Sequence, residues 1–180
     1  MNSVKEAEKT EVISFWKAWL LPRVLLYSSA LFLTKMAVYN LLLQLPTFLK
    51  TSPGFNPHYD EQQTANLSTV IDFGAMLGSI FLGKLSDFLY GKRSPVALFA
   101  LIISSGVSFV IYWKVYDMST TVLFLMFFLV GFFLSGLNNM IQGACSADLG
   151  KQEALKGNAK AISTVTGIID GSGTMGAAVG

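Results

Sequence analysis

The chain has 180 residues, of which 52% are hydrophobic and 13% charged, with a formal net charge of +2. So many apolar residues with so few charges cannot be hidden inside a water-soluble domain of this size, which makes a bilayer the solvent, and the basic residues follow topology rather than forming a nucleic-acid patch. A single cysteine, Cys145, and a single histidine, His58, exclude an internal disulfide, a multi-cysteine metal site and a nucleophile–base pair, so no metal, no cofactor and no enzyme activity is expected.

Residues 1–23 read as a polar cytosolic lead. Lys5 and Lys9 are offset by Glu6, Glu8 and Glu11 with no short apolar core behind them, which is not the pattern of a signal peptide. Phe15, Trp16, Trp19, Pro22 and Arg23 then suit an aromatic and basic anchor at the headgroup level.

Five apolar segments follow, at about 24–49, 64–85, 95–113, 119–147 and 157–180, each near the ~20 residues that a spanning helix needs. Lys35 interrupts the first, Asp72 and Lys84 the second, and Asp170 the fifth. The loops put Lys5, Lys9, Lys17, Arg23, Lys84, Lys92, Arg93, Lys151, Lys156 and Lys160 on one side against Lys50 and Lys114 on the other, a ten-to-two bias that places the first set in the cytosol. An odd number of spans ending on Gly180 without a polar tail reads as a partial chain. Asn66-Leu67-Ser68 fits the glycosylation pattern, but its place at the mouth of the second span favours a buried or interfacial asparagine over a glycan.

The residues 83–93, Gly83-Lys84-Leu85-Ser86-Asp87-Phe88-Leu89-Tyr90-Gly91-Lys92-Arg93, sit between two apolar spans and read as a tight cytosolic hairpin loop. Charges inside the bilayer cost ~2.5 to 3.5 kcal/mol on insertion scales, so Lys35, Asp72 and Asp170 each call for a partner or a water-filled cavity. Lys35 lies eleven residues past Val24, ~16 Å along a helix and near the middle of the hydrocarbon. Tyr39 is one turn further on the same face, and an ammonium beside a phenol suits an anion. Asp170, thirteen residues past Gly157, reaches a similar depth from the same side, so pairing of Lys35 with Asp170 stands beside a substrate role for Lys35. Asp72 shares a face with Ser68 and Ser79, where a carboxylate steadying the bundle and a proton or substrate role are equal readings.

Asn138, Asn139 and Gln142 in the fourth span offer amides either to sugar hydroxyls and phosphate oxygens or to neighbouring helices. Gly171-Ser172-Gly173-Thr174-Met175-Gly176 spells a dinucleotide fingerprint without the strand or the downstream acid that the motif requires. The small-residue spacings Gly167 to Gly171, Gly173 to Ala177 and Gly176 to Gly180 instead describe a helix face that lets a neighbour approach closely.

The loop at Gly83, Asp87, Gly91, Lys92 and Arg93 resembles the cytosolic signature of the major facilitator superfamily, with Phe88 replacing the usual basic residue and the Asp87 to Gly91 spacing one longer. Ser146-Ala147-Asp148-Leu149-Gly150, Lys156-Gly157-Asn158-Ala159-Lys160-Ala161 and Thr164-Val165-Thr166-Gly167-Ile168-Ile169-Asp170-Gly171 closely resemble the sugar-phosphate exchangers, solute carrier family 37, in the organophosphate:phosphate antiporter branch. Ile13-Ser14-Phe15-Trp16-Lys17-Ala18-Trp19-Leu20 is similar to their central loop. The resemblance implies an all-α membrane protein, with 24–180 forming five of the six transmembrane helices of a C-terminal bundle and the N-terminal half of the transporter missing. It also implies an endoplasmic reticulum membrane and exchange of a sugar phosphate for inorganic phosphate by alternating access, with a basic residue from each half at the site. In the bacterial relatives that residue directly precedes the tyrosine matching Tyr39, whereas here Val38 stands there and Lys35 one turn earlier. The resemblance makes the 83–93 loop a gating contact. The alternatives are another organic anion or sugar on the same fold, and a membrane sensor or partner protein that does not transport.

Overall fold

The computed structural model describes residues 14–51, 61–89, 93–114, 118–150, 155 and 158–180. Among them there is no strand, and the helices are α1 (Phe15–Trp19), α2 (Val24–Thr51), α3 (Glu61–Phe88), α4 (Arg93–Lys114), α5 (Thr120–Val130), a π-helical turn (Gly131–Ser135), α6 (Gly136–Gly150) and α7 (Ala159–Val179). His58 lies outside the described residues.

Val24–Leu45, Gln62–Phe88, Arg93–Lys114 and Thr120–Gly143 are each long and apolar enough to cross a membrane. On α4, Leu98, Ile102 and Phe109 remain 62%, 64% and 62% exposed, a surface that lipid satisfies and water does not. The chain is therefore an all-α, multi-pass membrane protein. Helix α7 has 21 residues, enough for ~30 Å, but Gly167, Gly171, Gly173, Gly176 and Asp170 dilute its apolarity and it is not among those four spans. Its first turn is fixed by Asn158, whose side-chain oxygen accepts the Ala161 N–H at 3.0 Å.

The connection expected over 83–93 is shorter in the structure. Helix α3 continues through Gly83 and Asp87 to Phe88, with the Leu89 N–H still donating to the Leu85 carbonyl at 3.1 Å, and α4 starts at Arg93. Backbone hydrogen bonds have no reason to break at the edge of the hydrocarbon, and Ser86 packs at only 4% exposure. Gly91 and Lys92 lie outside the described residues.

Two compact units divide the chain, Met1–Met36 with Ile141–Gly180 and Ala37–Met140. In the first, Ala18, Val24, Leu31, Leu155, Val165 and Ile169 form the core. Three glycines bring α7 against α2. A Cβ on Gly176 would strike the Phe32 backbone, one on Gly180 would stand 2.8 Å from the Met36 carbonyl oxygen, and one on Gly173 would stand 2.8 Å from Cδ of Lys35. Gly167 and Gly171 have nothing within 4 Å, so the close-approach face is 173, 176 and 180 rather than every small-residue pair in the sequence.

In the second unit α3 lies against α5, the π turn and α6 through interlocking glycines. A Cβ on Gly78 would stand 2.6 Å from the Phe132 carbonyl carbon, and one on Gly136 would stand 2.8 Å from that of Gly78. Backbone on both sides leaves no flexible group to move aside. Leu45, Leu67, Ile71, Leu123, Phe127 and Val130 fill the space around this seam.

Gly78→Val in the full-length protein should therefore lower the thermal unfolding midpoint in detergent by about 5 °C or more, the scale of overpacking a tight core. Gly106→Ala, where nothing lies within 4 Å, should leave the midpoint within about 2 °C of wild type.

Candidate functional site around Lys35 and Asp170

Helix α2 carries Lys35 inward at 7% exposure. Its Nζ donates to Asp170 Oδ1 on α7 at 2.6 Å, and Gln142 Nε2 on α6 donates to the same oxygen at 2.5 Å. Gly173, one turn beyond Asp170, supplies the room, since its missing side chain is where the Lys35 stem passes. Neutralising the two charges removes most of what each would cost alone in hydrocarbon, and the amide fixes the carboxylate's orientation. The carboxylate side chain is nevertheless 45% exposed.

That exposure opens onto a cavity of about 620 Å³ between α2, α6 and α7, within the range of small-molecule sites. Gln142, Ser163, Thr166 and Asp170 give it polar walls, and Leu31 and Ile162 apolar ones. Elsewhere in the same unit Tyr27 Oη donates to Asp148 Oδ2 at 2.6 Å, tying the first turn of α2 to the last turns of α6.

Residues 2–180 match the family model of the Major Facilitator Superfamily. The chain belongs to that family. It is 38% identical over 180 residues to a glucose-6-phosphate exchanger, SLC37A2, of Xenopus tropicalis, covering 99% of this chain and 35% of that protein. It is 38% identical over 172 residues to sugar phosphate exchanger 3 of Bos taurus, covering 96% of this chain and 33% of that protein. It is 34% identical over 171 residues to putative glycerol-3-phosphate transporter 2 of Arabidopsis thaliana, covering 94% and 33% respectively. The chain thus spans about a third of the length of these relatives. No solved structure matches it. Proteins so named are transporters rather than enzymes.

Of the residues singled out in this major facilitator chain, the structure brings together Lys35, Gln142 and Asp170. Tyr39, 43% exposed, and Asn139, exposed, belong to the second unit. Asn138, also in the second unit, is 6% exposed and its Oδ1 has no hydrogen-bond partner among the described residues. Gln142 accordingly works with a carboxylate, not with the two asparagines beside it in sequence. Asp72 is exposed on α3, while Ser68 and Ser79 donate to the carbonyls of Thr64 and Met76 rather than to it. Gly83 and Asp87 of the family signature lie in the last turns of α3, and Arg93 begins α4.

Ser163 and Thr166 were not anticipated as cavity residues. Their signal was present: Ser163, Thr166 and Asp170 recur at helical spacing along one face of α7.

Removing one partner of the ion pair should cost more than removing both. Lys35→Ala should destabilise the full-length protein by about 1–3 kcal/mol, below the figure for a fully buried pair because Asp170 is half-exposed. Adding Asp170→Ala should recover about 1 kcal/mol of that loss, measured as a coupling in a thermal double-mutant cycle.

Proposed function

We propose that this chain supplies the C-terminal helices of a transporter that exchanges a sugar phosphate for inorganic phosphate by alternating access, with Lys35 as the cation these helices give to the phosphate. The observation that carries the reading is the buried Lys35 ammonium, mid-helix, held by Asp170 and Gln142 at the edge of a polar cavity. An ionisable residue kept inside the bilayer at such expense marks a substrate path by default. The names of the relatives, glucose-6-phosphate exchanger and sugar phosphate exchanger, supply the cargo class.

A phosphate anion competes with Asp170 for the ammonium. Lysine is a point charge without the arginine fork, so it accepts an oxyanion from more than one direction and reads phosphate geometry loosely. When the anion leaves, Asp170 closes back on Lys35, so no unpaired charge is left in the apolar interior between the departure of one anion and the arrival of the next. Tyr39, Asn138 and Asn139 remain candidates for contacts in other states of the cycle, Asp72 and the 83–93 segment for gating. The other half of the site comes from the remaining length of such a transporter, and the endoplasmic reticulum is the membrane we propose for it, a reading supported by its family resemblance. A shorter organic phosphate is the second reading, favoured by the similarity to a putative glycerol-3-phosphate transporter.

The test is counterflow of labelled phosphate against glucose-6-phosphate in liposomes holding the full-length protein. Lys35→Ala should lower exchange at least ~10-fold, the scale of one lost charge-assisted hydrogen bond, and Lys35→Arg should retain part of it. Unchanged exchange in Lys35→Ala would sink the role of Lys35. Binding of organic phosphates without any counterflow would favour a sensor over a transporter.

A further inference from the structure

The cavity beside Asp170 is built for something other than a phosphate group. Its polar walls carry a carboxylate, an amide and two hydroxyls, and no cation is among the described residues that line it. A carboxylate repels an oxyanion, whereas carboxylate and amide oxygens are strong acceptors for neutral hydroxyl groups.

Thr166 sharpens the point. On the same helix Thr164, Ser172 and Thr174 each donate to a carbonyl four residues earlier, at 3.0, 2.8 and 3.1 Å. Thr166 does not, and its Oγ1 is buried without a hydrogen-bond partner. A buried hydroxyl with nothing to bond is costly, and Thr166 is one of the residues lining a cavity large enough to bring it a partner. Asp170, whose side chain is 45% exposed, also has something to offer: Oδ1 takes both Lys35 and Gln142, which leaves Oδ2 and the Gln142 carbonyl oxygen with acceptor capacity.

We infer that this cavity receives the polyol end of an organic phosphate, with Thr166, Asp170 and Gln142 hydrogen-bonding its hydroxyls and the apolar walls at Leu31 and Ile162 lying along its C–H face. The inference rests on the cargo proposed above and adds which atoms read it. Before the sugar phosphate binds, Lys35 fixes the orientation of the Asp170 carboxylate and so acts as a positioning residue for the sugar's hydroxyls. Inorganic phosphate engages Lys35 alone. A sugar phosphate engages both parts, and once its phosphate takes Lys35 from Asp170, the carboxylate keeps its Gln142 bond and has acceptor capacity left on both oxygens for the sugar's hydroxyls.

The experiment measures half-saturating concentrations of glucose-6-phosphate and of its monodeoxy analogues for exchange against phosphate, in liposomes with the full-length protein. Wild type should need roughly fivefold more of at least one analogue, the worth of one hydrogen bond. Thr166→Val should erase that difference, and Thr166→Ser, which keeps the hydroxyl, should restore it. Equal half-saturation for all analogues in wild type, or full wild-type discrimination in Thr166→Val, would overturn the inference while leaving the proposed exchange intact. A wild-type protein that exchanges phosphate but no glucose-6-phosphate would overturn the cargo as well.

Discussion

The contact between Lys35 and Asp170 is the constraint around which the first unit is arranged. An ammonium buried at 7% exposure must be answered by an opposite charge, and only α7 presents one among the described residues. To reach it, the lysine stem passes close by α7 at Gly173, where a Cβ would stand 2.8 Å from the Lys35 Cδ and force the stem to shift. Gly176 and Gly180 continue the same face, so the close approach of α2 and α7 and the formation of the ion pair are one requirement. Gln142 completes the arrangement from α6 by taking up the carboxylate oxygen that Lys35 leaves only partly satisfied.

The second unit answers a different need. Its helices bury few charges, and what holds them is shape: Gly74, Gly78, Gly131 and Gly136 let backbone rest on backbone, and the π turn at Gly131–Ser135 falls within that seam. A π turn admits an extra residue without ending the helix, which changes the direction of everything after it. Ser135 within that turn and Asn138 just beyond it are both 6% exposed, and each has a side-chain oxygen without a hydrogen-bond partner among the described residues.

Much of this was legible in the sequence because hydrocarbon enforces simple rules. Apolar runs of about twenty residues coincide with the four helices long and apolar enough to cross a membrane, and counting residues from Val24 and Gly157 puts Lys35 and Asp170 at one depth. What the sequence concealed has equally physical causes. The π turn lies in a stretch so uniformly apolar that a slip of one residue leaves no mark in hydropathy. Gln142 was grouped with Asn138 and Asn139 by proximity, because a polar residue in a membrane helix does not announce which neighbour it will bond. The 83–93 connection was read too long because charge and glycine suggested a loop, although hydrogen bonding continued as far as Leu89. Thr166 looked like one more helix hydroxyl, and only its missing bond to the preceding turn sets it apart.

The account turns on Lys35 exchanging Asp170 for phosphate. Cryo-electron microscopy of the full-length protein in lipid, without ligand and with saturating inorganic phosphate, tests this. Without ligand the Lys35 ammonium should lie within hydrogen-bond distance of Asp170, and with phosphate it should leave the carboxylate and contact the anion. Phosphate bound away from Lys35, with the Lys35–Asp170 pair intact in both states, would contradict it.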